Sequence, residues 1–443
     1  MSVTVVGAGL AGCEAAWQLA RHGIKVLLYE MKPTVKSPAH ICDDFAELVC
    51  SNSFRSDSLS NAVGLLKEEM RRLDSIIIRC ADATRIPAGG ALAVDRERFA
   101  TLVTDAIVRE PLISVKRSEI TDIPDGRVII ATGPLTSEKL ANSLSRLLKG
   151  ERMLSFFDAA APIITAASVD MENVFIASRY DKGDADYINC PMTPEIYKSF
   201  HRELMSAEEA HVHGFEDGFV FEGCIPVEVM ARRGEDTLRY GPLKPVGLKD
   251  PRTGKEPYAV VQLRKDNAEG TLYNIVGFQT HLKFHEQQRV FSMIPALSGA
   301  EFVRFGVMHR NTYLNSPVLL DRYNRLRSEP RISFAGQIAG VEGYVESASS
   351  GLLTGIETAR ELKGLTPLDF PKETAIGALS LYTSGGSVSN FQPMNVNFGI
   401  MEPLHERVKG KREKNLALSR RSLGIIDRIY TSGQRAGIRG DAL

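Results

Sequence analysis

The chain is poor in cysteine, has a single tryptophan and carries no net charge. Its six cysteines include no Cys-x-x-Cys pair and no cluster with histidine at zinc spacing. That argues against a disulfide scaffold, a vicinal redox pair and a metal site. The expectation is a reduced, cytoplasmic protein that holds no metal. Lys and Arg number 54, as do Asp and Glu, so neither an acidic tail nor a uniformly basic protein is present. Balanced totals still leave room for a local basic face. Apolar runs are broken by glycine or charge before the ~20 residues a membrane span needs. The first residues lack the basic stretch and cleavage site of a signal peptide. What remains is an ordinary globular composition, 43% hydrophobic over 443 residues, long enough for two or three domains of roughly 150 residues.

The first thirty residues carry the clearest pattern. Val3–Val6 is a β-branched run suited to a buried parallel strand. Gly7-Ala8-Gly9-Leu10-Ala11-Gly12 follows at once, then an Ala-rich helical stretch from Cys13 to His22, a second strand from Lys25 to Tyr29, and Glu30. In such a turn Gly7 permits the tight bend, Gly9 admits a pyrophosphate close to the backbone, and Gly12 lets helix and strand pack. The helix N-terminus offers free N–H groups to the phosphates. Glu30 is placed to hold ribose hydroxyls. The strand, fingerprint, helix, strand and acid in this order point to a bound dinucleotide.

Two later segments repeat the strand-then-glycine theme. Arg127 to Pro134 ends in the turn Ala131-Thr132-Gly133, and Arg331 to Gly340 contains Gly336 and Gly340 ahead of a long helical stretch from Tyr344 to Leu362. A dinucleotide fold with parts 300 residues apart implies an inserted domain. The expectation is an α/β, Rossmann-like domain over 1–183 and 326–443, interrupted by an α+β insert over 184–325. The two later turns look like the secondary motifs of FAD-binding flavoproteins, and spacing alone does not separate FAD from NAD. The stretch 372–399, rich in Asn and Ser, reads as loops.

Two segments are locally basic. From Glu402 to Asp441 ten Lys/Arg stand against five Asp/Glu, among them Lys409, Lys411 and Arg412; from Glu228 to Lys265 nine stand against five, including Arg232 and Arg233. Such patches can follow a phosphate backbone, and they can equally be solvated surface or a dimer face. Of the cysteines, Cys50 lies in Glu47-Leu-Val-Cys-Ser-Asn-Ser-Phe54 and Cys224 in Phe221-Glu-Gly-Cys-Ile-Pro-Val-Glu228. With Pro226 as the first helical residue, Cys224 would stand just outside a helix N-terminus, where a thiolate is favoured. Cys13, Cys42, Cys80 and Cys190 read as core or near-core residues.

Those two cysteine segments, together with Tyr187-Ile-Asn-Cys-Pro-Met192, Thr280-His-Leu-Lys283, Arg304 to Tyr313 and Gly340-Val-Glu-Gly-Tyr-Val-Glu-Ser347, resemble the folate- and FAD-dependent tRNA (uracil-5-)-methyltransferases along the whole chain. The resemblance implies a FAD-binding domain of the glutathione-reductase type and a tRNA substrate, with methylation at C5 of the TΨC-loop uridine (position 54). It further implies 5,10-methylenetetrahydrofolate as carbon donor, FAD as carrier and reductant, and NADPH or NADH to reload it. A thiolate adding to C6 would make C5 nucleophilic. Cys224 is assigned that addition and Cys50 the C5 proton, and exchanged roles fit equally. Tyr344 would stack on flavin or pterin. Two other readings stand beside this one: a flavoprotein component of a wobble-uridine modification complex, and a generic NAD(P)H-dependent FAD oxidoreductase.

Overall fold

Val3 and Val5 are fully buried and Val6 nearly so, as a strand flanked on both sides requires. Ser2–Val6 forms strand β1, Leu10–Arg21 helix α1 and Lys25–Glu30 strand β2. β1 pairs in parallel with β2 and with Arg127–Ile130. Ile113–Arg117 extends the sheet beyond β2, and Ile332–Phe334 beyond Arg127–Ile130. The five strands are all parallel. The outermost comes from the far side of a long excursion of the chain, so the sheet is closed by residues ~200 positions downstream of its neighbour. The computed structural model describes residues 2–37, 39–148, 154–181, 185–210, 225–385 and 391–435.

α1 is pressed onto the sheet and onto helix Tyr344–Leu362 by the absence of side chains. A β-carbon on Gly12 would stand 1.8 Å from the Gly7 carbonyl oxygen, and one on Gly351 would stand 2.2 Å from that of Ala11. No backbone shift short of parting the two elements would admit it. The helix Tyr344–Leu362 spans the range expected from its sequence.

The excursion leaves and returns along an antiparallel ribbon, Leu154–Ala159 against Met308–Tyr313. Beyond it lies a six-stranded antiparallel sheet in the order Phe175–Ile176, Tyr187–Met192, Ala259–Lys265, Leu272–Ile275, Ile163–Thr165 and Phe302–Arg304. Helices Pro194–Ser206 and Phe284–Phe291 cover it, and Tyr197, Phe200, Phe278 and Phe291 fill the space between. A border at 183 therefore cuts through this sheet. Ile163 and Ile164 are buried in a strand that closes the gap between Leu272–Ile275 and Phe302–Arg304. The antiparallel sheet takes its strands from between about Ala160 and about Val307, and Leu314 and Leu320, which a border at 325 puts in the insert, lie with Leu326 in the core beside the parallel sheet. Strands of two and three residues leave too short a pattern to mark the change.

The stretch 372–399 is not loop throughout. Ala375–Ser384 is a helix. Thr374 Oγ1 accepts from Gly377 N–H (3.0 Å), and the Glu69 carboxylate accepts from Ala375 and Ile376 N–H (2.7 and 2.9 Å). The helix is apolar on nearly every side and shows no stripe, because it is buried on nearly every side. Within the basic C-terminal segment Lys411–Arg435 is a helix, tied by Arg72 to Asp427 (2.7 Å) and by Ser419 Oγ to the Leu59 carbonyl (2.7 Å).

Three buried carboxyls give the fold a pH dependence. Burial raises Glu14 and Glu69 to about 7 and Glu357 to about 8, against 4.5 for an exposed glutamate. In that interval the folded chain holds protons the unfolded chain has lost, so the contribution of these three groups is fullest below pH 4.5 and is lost as pH rises through 7 to 8. Glu357→Gln keeps an oxygen for the Leu368 N–H (2.9 Å) and removes the charge. Thermal unfolding is expected to match the parent near pH 5 and to rise by several degrees at pH 9.

Candidate active site

A cleft opens over the C-terminal ends of the parallel strands. Its floor is Gly7, Gly9, Leu10 and Ala11, its walls include Glu30, Ala131, Thr132, Gly133 and Gly336, and Tyr344 stands at one end. This is where an open α/β sheet binds its ligand. Gly7 takes φ +98° and donates to the Tyr29 carbonyl (2.8 Å), which bends the chain directly out of β1. Gly9 caps α1 with no side-chain hydrogen bond, so the first N–H groups of the helix are left for an anion. A β-carbon on Gly9 would meet nothing within 4 Å; the space beside it belongs to the cleft.

Glu30 is 7% exposed, and its two oxygens accept from Ala8 N–H (2.9 Å) and Lys32 N–H (3.0 Å). The carboxylate is thereby fixed with lone pairs left for hydroxyl donors. Ala8 thus acts through Glu30, and Gly12 through packing; neither lines the cleft. Gly340 does not line it either. Its φ is +83°, and a β-carbon there would strike the Phe391 ring at 2.5 Å, so it is a glycine of packing and turn.

Cys50 lies where the nucleotide domain, the ribbon and the insert meet. Its Sγ is 4.0 Å from the Ala159 carbonyl, while the N–H groups of Cys50 and Ser51 both donate to the Tyr344 hydroxyl (2.7 and 3.1 Å). Arg264, 8% exposed, donates to Ser51 Oγ (3.0 Å) and Asn52 Oδ1 (3.1 Å). Asn52 in turn donates to the carbonyls of Val94 and Lys265 (3.0 and 2.9 Å). Residues 50–52 are therefore stitched to both domains. Burial holds the Tyr344 phenol well above its ordinary range, so it stays protonated at neutral pH.

Two guanidinium groups sit within electrostatic reach of Cys50. Arg96 is paired with Asp266 (2.9 Å). Arg304 pairs with no carboxylate among the described residues and donates to the Ala39 carbonyl (3.2 Å). Its burial lowers its pKa from the ordinary arginine value. Cys224 lies outside the described residues. Helix Val227–Ala231 takes Pro226 as its N-cap and not as its first residue, one position later than expected. Cys13, Cys80 and Cys190 are buried, and burial pushes Cys80 and Cys190 up to about 12 and Cys13 well above its ordinary value, as suits inert core thiols.

The basic residues lie apart from the cleft. Lys409, Lys411 and Arg412 are exposed at the start of the C-terminal helix, and no residue of 402–435 lines the cleft. Arg232 is exposed but bonds to Glu209, and Arg233 is exposed beside it. Among the described residues no His, Cys, Asp and Glu group could hold a metal, and no helix is long and apolar enough to cross a membrane.

Residues 2–366 match the family described as Glucose inhibited division protein A. The methylenetetrahydrofolate–tRNA-(uracil-5-)-methyltransferase TrmFO of Acetivibrio thermocellus is 61% identical over 425 residues, covering 96% of this chain and 97% of its own. The enzyme of that name from Enterococcus faecalis is 56% identical over 430 residues, 97% and 99% of the two chains. The chain belongs to this methyltransferase family. Among solved structures, Aquifex aeolicus GidA superposes with a TM-score of 0.72 at 17% identity, over 99% of this chain and 74% of its own; that likeness is one of fold. Family membership agrees with the resemblance drawn from the cysteine and tyrosine segments.

Some members of the site had no signal of their own. Glu47, in the quoted Cys50 segment, lines the cleft and pairs with Lys32 (3.3 Å). Against the pull of burial, the Ile41 N–H and the Lys32 ammonium hold it below the usual glutamate range. His40 also lines the cleft, and burial lowers its pKa. Arg304 opens one of the family segments. Arg96 and Asp266 are 170 residues apart, and only the docking of the insert makes them a pair.

Proposed function

We propose that this chain methylates C5 of a TΨC-loop uridine in tRNA, with 5,10-methylenetetrahydrofolate as carbon donor and NADPH or NADH as reductant. The observation that supports this best is the junction of a dinucleotide cleft with Cys50, whose loop hangs on the Tyr344 hydroxyl at the end of that cleft. FAD suits the cleft. The uncapped start of α1 and the open space beside Gly9 take the pyrophosphate, Glu30 takes the ribose hydroxyls, and the Ala131–Gly133 and Gly336 turns line the walls. Bound there, FAD supplies the redox and one-carbon-carrier chemistry.

The residues of the chain do the rest. Uracil C5 is a poor nucleophile until a thiolate adds at C6. The loop that ties Cys50 to the Tyr344 hydroxyl of the cleft supports Cys50 as that nucleophile, which exchanges the roles expected from sequence and leaves the C5 proton to Cys224. Arg304 offers charge to the enolate oxygen or to a folate carboxylate. Tyr344, protonated, holds Cys50 and Ser51 in register with the cleft. The uridine must leave its stack to reach this depth. Lys409, Lys411 and Arg412, with Arg232 and Arg233, would follow the backbone, while the cleft selects the base.

The test is stoichiometry. NADPH oxidised by the purified chain should match methyl groups gained by unmodified tRNA, and methylation should stop on tRNA already carrying the methyl; oxidation unlinked to tRNA would favour a small-molecule oxidoreductase. Charge reversal at Lys409, Lys411 and Arg412 should weaken tRNA binding by about tenfold or more at low salt and flatten its salt dependence. An unchanged affinity and slope would remove that patch from the tRNA path.

A further inference from the structure

Three phenyl rings leave the core of the insert in a stack. Phe291 is buried in that core; Phe302 lies 6.4 Å from it at 38°. Phe305 follows at 5.1 Å and 8°, then Phe284 at 4.8 Å and 16°. The last three rings are nearly parallel, and the outermost, Phe284, is 55% exposed. A large ring left in water at the end of an ordered column costs hydrophobic free energy that a polar residue would not.

Its surroundings indicate what covers it. Lys283 and His285 flank Phe284 in sequence, and Arg304 flanks Phe305. The acids nearby are Glu208, paired with Lys283 (2.5 Å), Glu286, 3.4 Å from His285 and paired with Arg289, and Glu203, also paired with Arg289 (2.5 Å). Arg304 has no such partner among the described residues. The column also adjoins the cleft. Arg304 reaches the Ala39 carbonyl, next to His40 of the cleft wall. Two residues beyond Phe305, the Val307 carbonyl accepts from Ala160 N–H (2.8 Å), and the carbonyl of Ala159 faces Cys50. An exposed aromatic face backed by a stack of rings, with Lys283 and Arg304 close by in sequence, offers a surface on which an unpaired nucleobase can stack.

We propose that the Phe302–Phe305–Phe284 column is a stacking platform for an unpaired base of the tRNA loop, a neighbour of the uridine that enters the cleft. The proposal rests on the tRNA reading above. The platform holds the loop open while the target base is out of its stack, and it is indifferent to base identity.

The experiment uses the full-length flavin-bound protein and unmodified tRNA transcripts in which each TΨC-loop base other than the target is replaced in turn by 2-aminopurine. Parent protein should quench one of these probes without folate or NADPH present. Phe284→Ala and Phe284→Leu should abolish that quench, and Phe284→Trp should keep it. In turnover, the first two should raise the tRNA KM about tenfold, with the folate KM and kcat within about twofold. An unmoved tRNA KM, a Leu variant equal to the parent, or a rise in the folate KM alone would overturn the platform. So would a change of oligomeric state in Phe284→Ala by sedimentation, which would assign the ring to a second copy of the chain. If the parent transfers no methyl group but quenches, the function reading fails and the platform stands.

Discussion

Cys50→Ala is expected to lose methyl transfer by at least a thousandfold while purifying yellow, with the flavin content and unfolding temperature of the parent. The side chain is only partly buried and makes one weak contact through sulfur. The loop is held by backbone N–H groups and by Ser51, Asn52 and Arg264, all of which remain. Little structure depends on the thiol, so the loss reports chemistry. Cys224→Ala should also abolish transfer and keep the flavin. The two are separated by trapping. Transcripts carrying 5-fluorouridine at the target block removal of the C5 substituent and leave the C6 adduct in place. Parent and Cys224→Ala should form a covalent complex stable in denaturant, and Cys50→Ala should not. The reverse pattern would return the addition to Cys224, as first assigned from sequence.

Gly9→Ala and Gly12→Ala should fail in different ways, although they stand three residues apart in one motif. The β-carbon on Gly9 projects into the cleft and meets nothing in the protein. The variant should fold with the parent's unfolding temperature and purify colourless, its flavin affinity down by about a hundredfold or more, because the methyl group occupies the approach to the helix N-terminus. The β-carbon on Gly12 overlaps the Gly7 carbonyl at 1.8 Å. Relief requires α1 to lift from the turn, at a cost of at least 1–3 kcal/mol for overpacking, so this variant should lose both flavin and stability. Flavin absorbance and thermal unfolding measured on the same preparations distinguish the two. If Gly9→Ala is as unstable as Gly12→Ala, the turn is structural and not a phosphate seat.

The parts of this site that sequence made legible are those made by consecutive residues. β1, the glycine turn, α1 and Glu30 form a local unit whose geometry follows from the backbone, and Gly7, Gly9 and Glu30 lie where the motif puts them. The helix from Tyr344 is equally local. Sequence was blind where the partner arrives from elsewhere. Arg96 is an ordinary exposed-helix arginine until the insert brings Asp266 to it, and Arg264 reads as one residue of a basic stretch until it is found holding Ser51 and Asn52. Gly340 shows the converse: its sequence neighbours make it look like part of a nucleotide motif, whereas a β-carbon there would strike the Phe391 ring. The start of the antiparallel sheet leaves no mark in the sequence, because Ile163–Thr165 and Phe175–Ile176 are too short to carry a period. The helix Ala375–Ser384 was missed because a wholly buried helix has no stripe, and its caps come from Thr374 and from Glu69, about 300 residues away.

The most direct test of the account is chemical. Purified chain is mixed with unmodified tRNA, NADPH and methylenetetrahydrofolate labelled in its one-carbon unit, and the tRNA is digested to nucleosides for mass spectrometry. The account predicts labelled 5-methyluridine from this chain alone. Bound FAD and oxidised NADPH without labelled 5-methyluridine would contradict it, and would leave a partner-dependent modifier or a small-molecule flavoenzyme in its place.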